Sequence, residues 1–256
     1  MLSGQRIFVV VPAFREGRLI KKTLTSVPSY VDGVIVVDDA SDDDTGERAR
    51  ELGDPRVRVV RHRQNQGVGA AIRSGYLEAL GERADAVAVM AGDAQMDPDD
   101  LAAVLAPVLG GTADYVKGNR FVHAARRDMP LPRRAAGSAL SFATRLATGL
   151  DVDDCQCGFT CISAGALRAL PLGELWPRYG YPNDLLGLIA GRGLTVTEVP
   201  VRPVYGSEAS GVRPWHALLI LGLIARRALL ERVRSHPLDI ARAGYEDSAR
   251  STMRSA

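Results

Sequence analysis

The stretch AVAVMAGDAQMDP, residues 86–98, joins a predicted buried strand to a polar turn and a new helix. Residues 86–90 form an apolar run of the kind that is typical of a strand covered on both faces. Asp93 and Gln95 follow it, and Pro98 favours the start of a helix. A divalent cation bound to nucleotide phosphates needs hard oxygen ligands on a rigid strand end, which Asp93 and Gln95 offer. An ordinary turn would explain the same residues, so the rest of the chain must decide between the two interpretations.

Short apolar runs alternate with helical patterns through the first hundred residues. The runs occupy residues 7–11, 34–37, 57–60 and 86–90, and the helical patterns occupy residues 18–26, 44–52 and 67–80. Strands separated by helices pair in parallel and are covered on both faces. The sequence therefore predicts an α/β fold with a Rossmann-like, mostly parallel sheet and helices on both faces. Ser41 is predicted to cap the second helix.

The residues that follow the predicted strands, all of them polar except Phe14, are expected to meet in one crevice, because such sheets bind ligands beyond the carboxyl ends of their strands. These residues are Phe14, Glu16, Asp38, Asp39, Asn65, Asp93 and Gln95. The glycines of residues 67–69 do not form a dinucleotide-binding fingerprint, which would follow the first strand instead of the third. They are predicted to let a helix pack closely against the sheet.

Composition and charge are those of an ordinary folded protein. The chain has 256 residues, of which 46% are apolar and 24% charged, and its formal net charge is +2. Arginines nevertheless crowd one segment, residues 120–134, whose only acidic residue is Asp128. That segment indicates either an anionic partner or a solvated loop. Nothing in the chain indicates binding to nucleic acid.

The three cysteines and the apolar segments indicate a cytoplasmic protein. Cys155, Cys157 and Cys161 lack the spacing of a zinc site, and their odd number argues against a disulfide framework, so reduced buried or site-lining thiols are expected. Residues 1–6 contain no apolar core of a signal peptide. The longest apolar run, residues 217–225, is shorter than the about 20 residues that cross a bilayer.

Taken together, the motifs resemble the family 2 glycosyltransferases of GT-A fold, and most closely the dolichyl or polyprenyl phosphate mannosyltransferase-like branch. The resemblance covers residues 5–230 in the expected order. Its motifs are VPAFRE at 11–16, VVDDASDDDT at 36–45, NQGVG at 65–69, GDAQ at 92–95, KGNR at 117–120, QCGF at 156–159, ND at 183–184, EVP at 198–200 and YG at 205–206.

The resemblance implies roles at the donor site. Pro12, Phe14 and Glu16 would contact the nucleoside, Val37 and Asp39 would bind the base or ribose, and Gly92 and Asp93 would line the nucleotide-sugar site. Asp93 and Gln95 would hold Mg²⁺ or Mn²⁺ against the diphosphate. The first Asp of the family's D-x-D motif is replaced by Ala91, which removes one expected carboxylate. Asp97 either compensates for it or caps the following helix.

The resemblance also implies residues for the leaving group and the acceptor. Arg120 and either Arg133 or Arg134 would neutralise the departing diphosphate, since guanidinium groups match phosphate oxygens in pairs. Arg202 and Arg213 would stand in approximately for the basic residues of a loop that closes over the phosphates. Asp184 would act as a general base or orient the acceptor; the alternative is a helix N-terminal carboxylate.

The predicted function is inverting transfer of a hexose from a donor of GDP-mannose or UDP-glucose type to a polyprenyl phosphate, which is already anionic at pH 7. Two alternatives remain: transfer to a soluble hydroxyl with Asp184 as base, and a non-catalytic nucleotide-sugar-binding scaffold. We expect a catalytic domain over residues 1–212, an amphipathic helix over 213–236 and a flexible tail over 237–256. That helix would lie on a cytoplasmic membrane face, or pack on the domain or in a homo-oligomer interface.

Overall fold

The computed structural model describes residues 4–204 and 215–235, which build a seven-stranded sheet with helices on both faces. The strand order is β3-β2-β1-β4-β6-β5-β7. All neighbouring strands pair in parallel except β6, which is antiparallel to both β4 and β5. The predicted mostly parallel sheet is therefore confirmed.

The four strands predicted in the first hundred residues are all present, and three more complete the sheet. β1 is an interior strand between β2 and β4, and every one of its residues is buried, which explains its unbroken apolar sequence. The strands are β1 (Ile7–Ala13), β2 (Gly33–Asp38), β3 (Val57–Arg61), β4 (Ala86–Val89), β5 (Tyr115–Asn119), β6 (Thr160–Ser163) and β7 (Val196–Pro200).

Two hydrophobic clusters cover the two faces of the sheet, because alternate residues of each strand point to opposite sides. Val9 and Val11 belong to one cluster, together with α1 (Ile20–Ser26), α2 (Thr45–Arg50) and α4 (Leu101–Leu109). Phe8 and Val10 belong to the other, which includes residues from α3 (Val68–Gly81), α5 (Leu131–Thr148), α6 (Ala164–Ala169), α7 (Tyr181–Ala190) and α8 (Trp215–Ser235).

One of the two predicted helix caps is confirmed and the other is wrong. The Asp97 carboxylate accepts a hydrogen bond from the Asp99 N–H and starts a 3₁₀ turn, Pro98–Asp100, that leads into α4. Ser41 does not cap α2, since that helix begins only at Thr45, with Asp44 at the cap position. The Ser41 hydroxyl instead accepts a hydrogen bond from the Arg15 N–H, which ties the loop after β1 to the loop after β2.

The glycines at the start of α3 pack against a different partner from the one predicted. A Cβ atom at Gly67 would lie 2.5 Å from the Pro177 carbonyl oxygen, and one at Gly69 would lie 2.2 Å from that of Trp176. These glycines therefore admit the backbone before α7, not the sheet. Gly75, six residues after Gly69 in α3, makes the close approach to the sheet, at Val10.

The expectations for cysteines are confirmed within the part of the chain that the structure describes. Cys155, Cys157 and Cys161 are all free thiols and all buried. Burial raises the pKa of the Cys157 thiol above its ordinary value and so favours its neutral form. Among residues 4–204 and 215–235, no helix combines the length and apolar composition needed to cross a membrane.

Candidate active site

A cavity of about 440 Å³ opens where β1, β2 and β4 end. The predicted convergence of Glu16, Asp39 and Asp93 on one crevice is confirmed, because all three line this cavity. The parallel pairing of β1 with both β2 and β4 brings their carboxyl ends to the same edge of the sheet. The remaining lining residues are Pro12, Ala13, Phe14, Asn65, Gly67, Val68, Ala71, Ala91, Gly92, Arg178 and Tyr179.

The Asp39 carboxylate organises the floor of this cavity. It accepts hydrogen bonds from the N–H groups of Gln66 (2.9 Å) and Gly67 (2.7 Å), and it lies 2.7 Å from Nδ1 of His62. An ionised carboxylate can only accept hydrogen bonds. Nδ1 of His62 therefore carries a hydrogen and donates a hydrogen bond to Asp39. Nε2 of the same ring lies 2.9 Å from the Ser74 hydroxyl. Asp39 thus holds the loop before α3 in place as well as facing the cavity.

Asp38 and Val37, the two residues before Asp39, do not line the cavity. Asp38 is fully buried and pairs with Arg61 at 3.1 Å, while its other oxygen accepts the Ser41 N–H. The Val37 side chain is fully buried in the hydrophobic core. A side-chain contact from Val37 to a nucleotide is therefore incompatible with this structure, because strand alternation turns Val37 into the core.

A tight turn after β4 carries Gly92, Asp93 and Gln95. One Asp93 oxygen accepts the Gln95 N–H at 3.0 Å, and Ala94 adopts a left-handed backbone with φ of 54°. The turn is fixed from α1 by the buried Thr23, whose hydroxyl donates to the Gly92 carbonyl and accepts from the Ala94 N–H, both at 3.1 Å. Sequence reasoning missed Thr23; its only signal is a hydroxyl on the buried face of α1.

A second cavity, of about 160 Å³, adjoins the first, and Asp93 lines both. Arg120 at the end of β5 contributes its guanidinium group, which forms two hydrogen bonds to the fully buried Asp154, at 2.7 and 2.9 Å. This bidentate pairing fixes the orientation of the guanidinium plane. The other lining residues are Gln95, Met96, Cys157, Gly158, Phe159, Val201, Arg202, Pro203 and Val204.

A network of charged and polar side chains holds Asp154, the partner of Arg120, in place. Glu198 on β7 accepts hydrogen bonds from the N–H groups of Asp153 and Asp154 and from the Asn119 amide. Burial raises the pKa of Glu198 above its ordinary value. The Lys117 ammonium donates to the Cys157 carbonyl at 2.7 Å, and burial lowers its pKa. None of Asn119, Lys117 and Glu198 was assigned a role from the sequence, although they lie in the motifs at 117–120 and 198–200.

The oxygen ligands at the meeting point of the two cavities suit a cation that is shared with a phosphate ligand. Within the described residues, no group of three or more His, Cys, Asp or Glu side chains is placed to hold a metal ion. Asp93 supplies one carboxylate and Gln95 one amide oxygen, and Ala91 lines the first cavity without a ligand atom. Mg²⁺ commonly takes one or two protein carboxylates and completes its shell with phosphates and water, so these residues fit such an ion.

Of the remaining predicted arginines, Arg202 lines a cavity, Arg133 and Arg134 do not, and Arg213 falls outside the described residues. Arg133 and Arg134 occupy the first turn of α5, and neither is among the side chains that line the two cavities. Arg202 lines the second cavity, and its backbone N–H donates to Asp100 at 2.6 Å. Arg213 falls outside the described residues, 4–204 and 215–235.

Asp184 is placed at neither cavity. Its side chain is fully buried on α7, where Nε and Nη2 of Arg227 on α8 donate to its two oxygens at 2.8 and 3.0 Å. The Trp176 N–H donates to it as well, at 2.8 Å. Burial alone would lower the pKa of Arg227, but its contacts with Asp184 and Glu174 outweigh burial and raise it. In this arrangement Asp184 joins α7 to α8, and its predicted role as a base would require the ion pair to open.

Comparisons with known proteins agree with this arrangement. Residues 8–170 match the family model described as "Glycosyl transferase family 2". The chain is 28% identical to a UDP-N-acetylglucosamine–dolichyl-phosphate N-acetylglucosaminyltransferase of Methanococcus voltae, over 90% of this chain and 98% of that protein. It is 31% identical to an undecaprenyl-phosphate mannosyltransferase of Micrococcus luteus, over 77% of this chain and 82% of that protein.

A solved structure supports the same assignment. Glucosyl-3-phosphoglycerate synthase from Mycobacterium tuberculosis, in complex with Mn²⁺, UDP and glucosyl-3-phosphoglycerate, is 26% identical. It superposes with a TM-score of 0.66 over 88% of this chain and 80% of that one, which confirms the predicted GT-A fold. The family model matches more than half of this chain, so the chain belongs to glycosyl transferase family 2.

Proposed function

We propose that this enzyme is an inverting glycosyltransferase that moves a hexose from a nucleoside-diphosphate sugar to a polyprenyl phosphate. The observation that carries the proposal is the pair of cavities that meet at Asp93. The first combines carboxylates with an aromatic ring and suits a nucleoside. The second contains Arg120 and Arg202 and suits phosphate groups.

The first cavity accommodates the nucleoside part of a donor of GDP-mannose or UDP-glucose type. The Phe14 side chain is 40% exposed and offers a flat apolar surface next to Pro12 and Glu16. Asp39 uses about three of its four lone-pair sites on Gln66, Gly67 and His62 and keeps acceptor capacity for a ribose hydroxyl or a ring N–H.

Asp93 and Gln95 are the proposed ligands of Mg²⁺ or Mn²⁺ at the diphosphate. When bound, such an ion stabilises the charge that develops on the leaving diphosphate. Arg120, which lines the second cavity together with Asp93, offers its guanidinium group to the diphosphate in an orientation that Asp154 fixes before any substrate arrives. The metal-containing complex of the related synthase supports this assignment. Donor contacts by Arg133, Arg134 and Arg213 stay predictions.

The acceptor is proposed to attack without help from a protein base. An oxygen of the lipid phosphate is already anionic, so it forms the bond to the anomeric carbon as the bond to the diphosphate breaks, and the electron pair leaves with the diphosphate. Burial of Asp184 against Arg227, away from both cavities, agrees with a reaction that needs no proton acceptor there. The relatives named for dolichyl phosphate and undecaprenyl phosphate support the same acceptor class.

The related glucosyl-3-phosphoglycerate synthase motivates a second candidate, transfer to a soluble acceptor hydroxyl. A hydroxyl has a high pKa and needs a general base within hydrogen-bond reach. That reaction would require Asp184 to leave Arg227, or another carboxylate to serve. The two candidates therefore differ in whether the chemical step needs a general base, for which Asp184 is the residue predicted from the sequence.

The test is a transfer assay with radiolabelled GDP-mannose and UDP-glucose and with two acceptors, undecaprenyl phosphate in detergent and 3-phosphoglycerate in buffer. We expect label in the lipid product, loss of labelling with EDTA, and recovery with Mn²⁺ or Mg²⁺. A thermal-shift screen of GDP, UDP, ADP and dTDP identifies the nucleobase of the donor beforehand, because a bound ligand raises the apparent stability of the protein. Label in 3-phosphoglycerate alone would replace the proposal by the second candidate.

A further inference from the structure

Helices α5 and α8 pack against each other and each leaves an apolar stripe uncovered. Phe142 is 70% exposed and Leu146 is 79% exposed on α5, and Leu218 is 74% exposed on α8. The exposed apolar residues are spaced by 11 and 4 positions along α5 and by 3 and 8 positions along α8, so those of one helix share one face. We call this the α5–α8 surface; its exposed large apolar residues are Leu131, Phe142, Leu146, Leu218, Leu221 and Leu229.

Positive charge accompanies the α5–α8 surface. Helix α5 contains three arginines and no acidic residue, and α8 contains four arginines and one glutamate, whereas the whole chain carries a net charge of only +2. Arg227 adds nothing to the charge of the exposed surface, because its side chain is buried and paired with Asp184. That glutamate, Glu231, faces Arg227 at 3.6 Å. The exposed Arg226 lies three residues before Leu229, and Arg133 and Arg134 lie in the first turn of α5, next to Leu131. Arg145 lies three residues after Phe142, but it is paired with Asp151 and Asp153.

Both helices reach the borders of the two cavities. Phe121, the residue after Arg120, packs against Gly137 of α5, where a Cβ atom would lie 2.9 Å from its ring. Gly180, the residue after cavity-lining Tyr179, packs against Leu223 of α8. The α5–α8 surface is thus joined by direct packing to segments that line each cavity.

We propose that the α5–α8 surface docks on an anionic lipid bilayer, with its apolar side chains in the interface and its arginines at the headgroups. This partner is the one that matches both the apolar stripes and the positive charge. A second copy of the chain would bring like charges together across a symmetric contact. Docking on the bilayer would bring a membrane-borne acceptor phosphate to Arg120. Only this purpose of the docking rests on the proposed function.

The test is flotation of the full-length protein with vesicles of phosphatidylcholine, with and without phosphatidylglycerol, and without polyprenyl phosphate. We expect at least tenfold stronger partitioning to the anionic vesicles, weakened by salt. The double variant Phe142→Glu/Leu218→Glu is expected to lose at least tenfold of it. Leu77→Glu, on an exposed leucine of α3, is the matched control and should bind as wild type. Equal thermal unfolding midpoints verify that all three proteins are folded.

Three results would overturn the proposal: no binding by the wild type, equal binding by the double variant, or a wild-type dimer that the double variant splits into monomers. Transfer assays separate this proposal from the proposed function. The double variant should lose transfer to undecaprenyl phosphate in anionic vesicles but keep transfer to a short, water-soluble polyprenyl phosphate. If neither protein labels any polyprenyl phosphate while vesicle binding behaves as expected, the proposed function fails and the docking surface stands.

Discussion

Asp39 and Asp184 are two buried carboxylates. The sequence motifs predict a role in the active site for both, but only Asp39 lines a cavity. Asp39 follows a strand of a parallel sheet, so the topology alone brings it to the edge where Glu16 and Asp93 also lie. Asp184 lies on a helix, and its environment is decided by Arg227, which is 43 residues away in sequence. A strand-end carboxylate is placed by strand pairing, whereas a helix carboxylate depends on what packs over it. Substitutions in the strand-end region should change binding and transfer, and those between α7 and α8 should change stability.

The largest expected effect is the loss of stability in Arg227→Met. This change leaves the charge of Asp184 buried without its partner, which typically costs about 3–5 kcal/mol. The free energy of unfolding from urea denaturation measures it. In Asp184→Asn/Arg227→Met both charges are gone, and an acceptor for the Trp176 N–H remains.

That double variant should be more stable than Arg227→Met and, once folded, should still transfer sugar to polyprenyl phosphate. A folded double variant that binds the donor but transfers no sugar would show that Asp184 is needed for transfer, as its predicted role as a base requires. Asp184 and Asp39 would then both belong to the active site.

The largest effect on transfer is expected in Asp93→Asn. Loss of the carboxylate that lines both cavities removes the proposed cation ligand, and comparable losses of transition-state stabilisation cost about 10²–10³-fold in rate. Initial rates with saturating Mn²⁺ measure it. Asp99→Asn is the control, because Asp99 is exposed on the following turn and lines neither cavity, so this variant should retain nearly full activity. Equal losses in the two variants would contradict the assignment.

Replacing Ala91 by Asp should strengthen metal binding. Ala91 lines the first cavity at the family's missing carboxylate, so Ala91→Asp adds a second hard oxygen ligand near Asp93. We expect Mn²⁺ affinity in the presence of nucleoside diphosphate to rise about tenfold, or about 1.4 kcal/mol. Calorimetric titration of Mn²⁺ measures this, and an unchanged affinity would place the cation away from residue 91.

Variants of His62 test how Asp39 is held. His62→Gln removes the Nδ1 donor to Asp39, whereas His62→Asn keeps an N–H group near that position. A net hydrogen bond contributes about 1 kcal/mol, so His62→Gln should weaken nucleotide binding about fivefold and His62→Asn about twofold or less. Calorimetric titration of the nucleoside diphosphate measures the difference. Equal affinities would show that the cavity tolerates a loosened Asp39.

The smallest expected effect is a pH-dependent one at Asp43, beside the loop that carries Glu16. Burial on its own raises the pKa of Asp43, but hydrogen bonds from Thr45 and from the Gly17 N–H outweigh it and hold the pKa below its ordinary 3.8. The group therefore stabilises the fold above the unfolded-state pKa, and this contribution is lost as the pH falls through the folded-state pKa. Asp43→Ala should cost less than about 1 kcal/mol at pH 7, because the side chain is exposed and screened.

Urea denaturation at pH 7 and at pH 3 tests the sign of this effect. The difference between wild type and Asp43→Ala should shrink at the lower pH, and a difference that grows would contradict the direction of the shift.

Much of the strand-end region was predictable from particular residues. Runs such as residues 7–11 are apolar because β1 is covered on both faces, and strand alternation with helices predicts the edge at which Glu16, Asp39 and Asp93 meet. Thr23 and His62 escaped prediction, since a hydroxyl and an imidazole carry no periodic signal and act through partners distant in sequence. The close approach of Gly67 and Gly69 to residues 176–178 escaped for the same reason.

The sequence by itself determined the α/β class, the first four strands, the polar residues at their ends and the family. Each follows from local periodicity, from the parallel pairing it requires, or from motifs in a fixed order. Only the tertiary structure decided that Arg120 is oriented by Asp154, that Asp184 is bound to Arg227, and that α5 and α8 share an exposed apolar surface. These are contacts between segments far apart in the chain. Their formation depends on packing geometry and on the desolvation of charge, neither of which leaves a pattern in the local sequence.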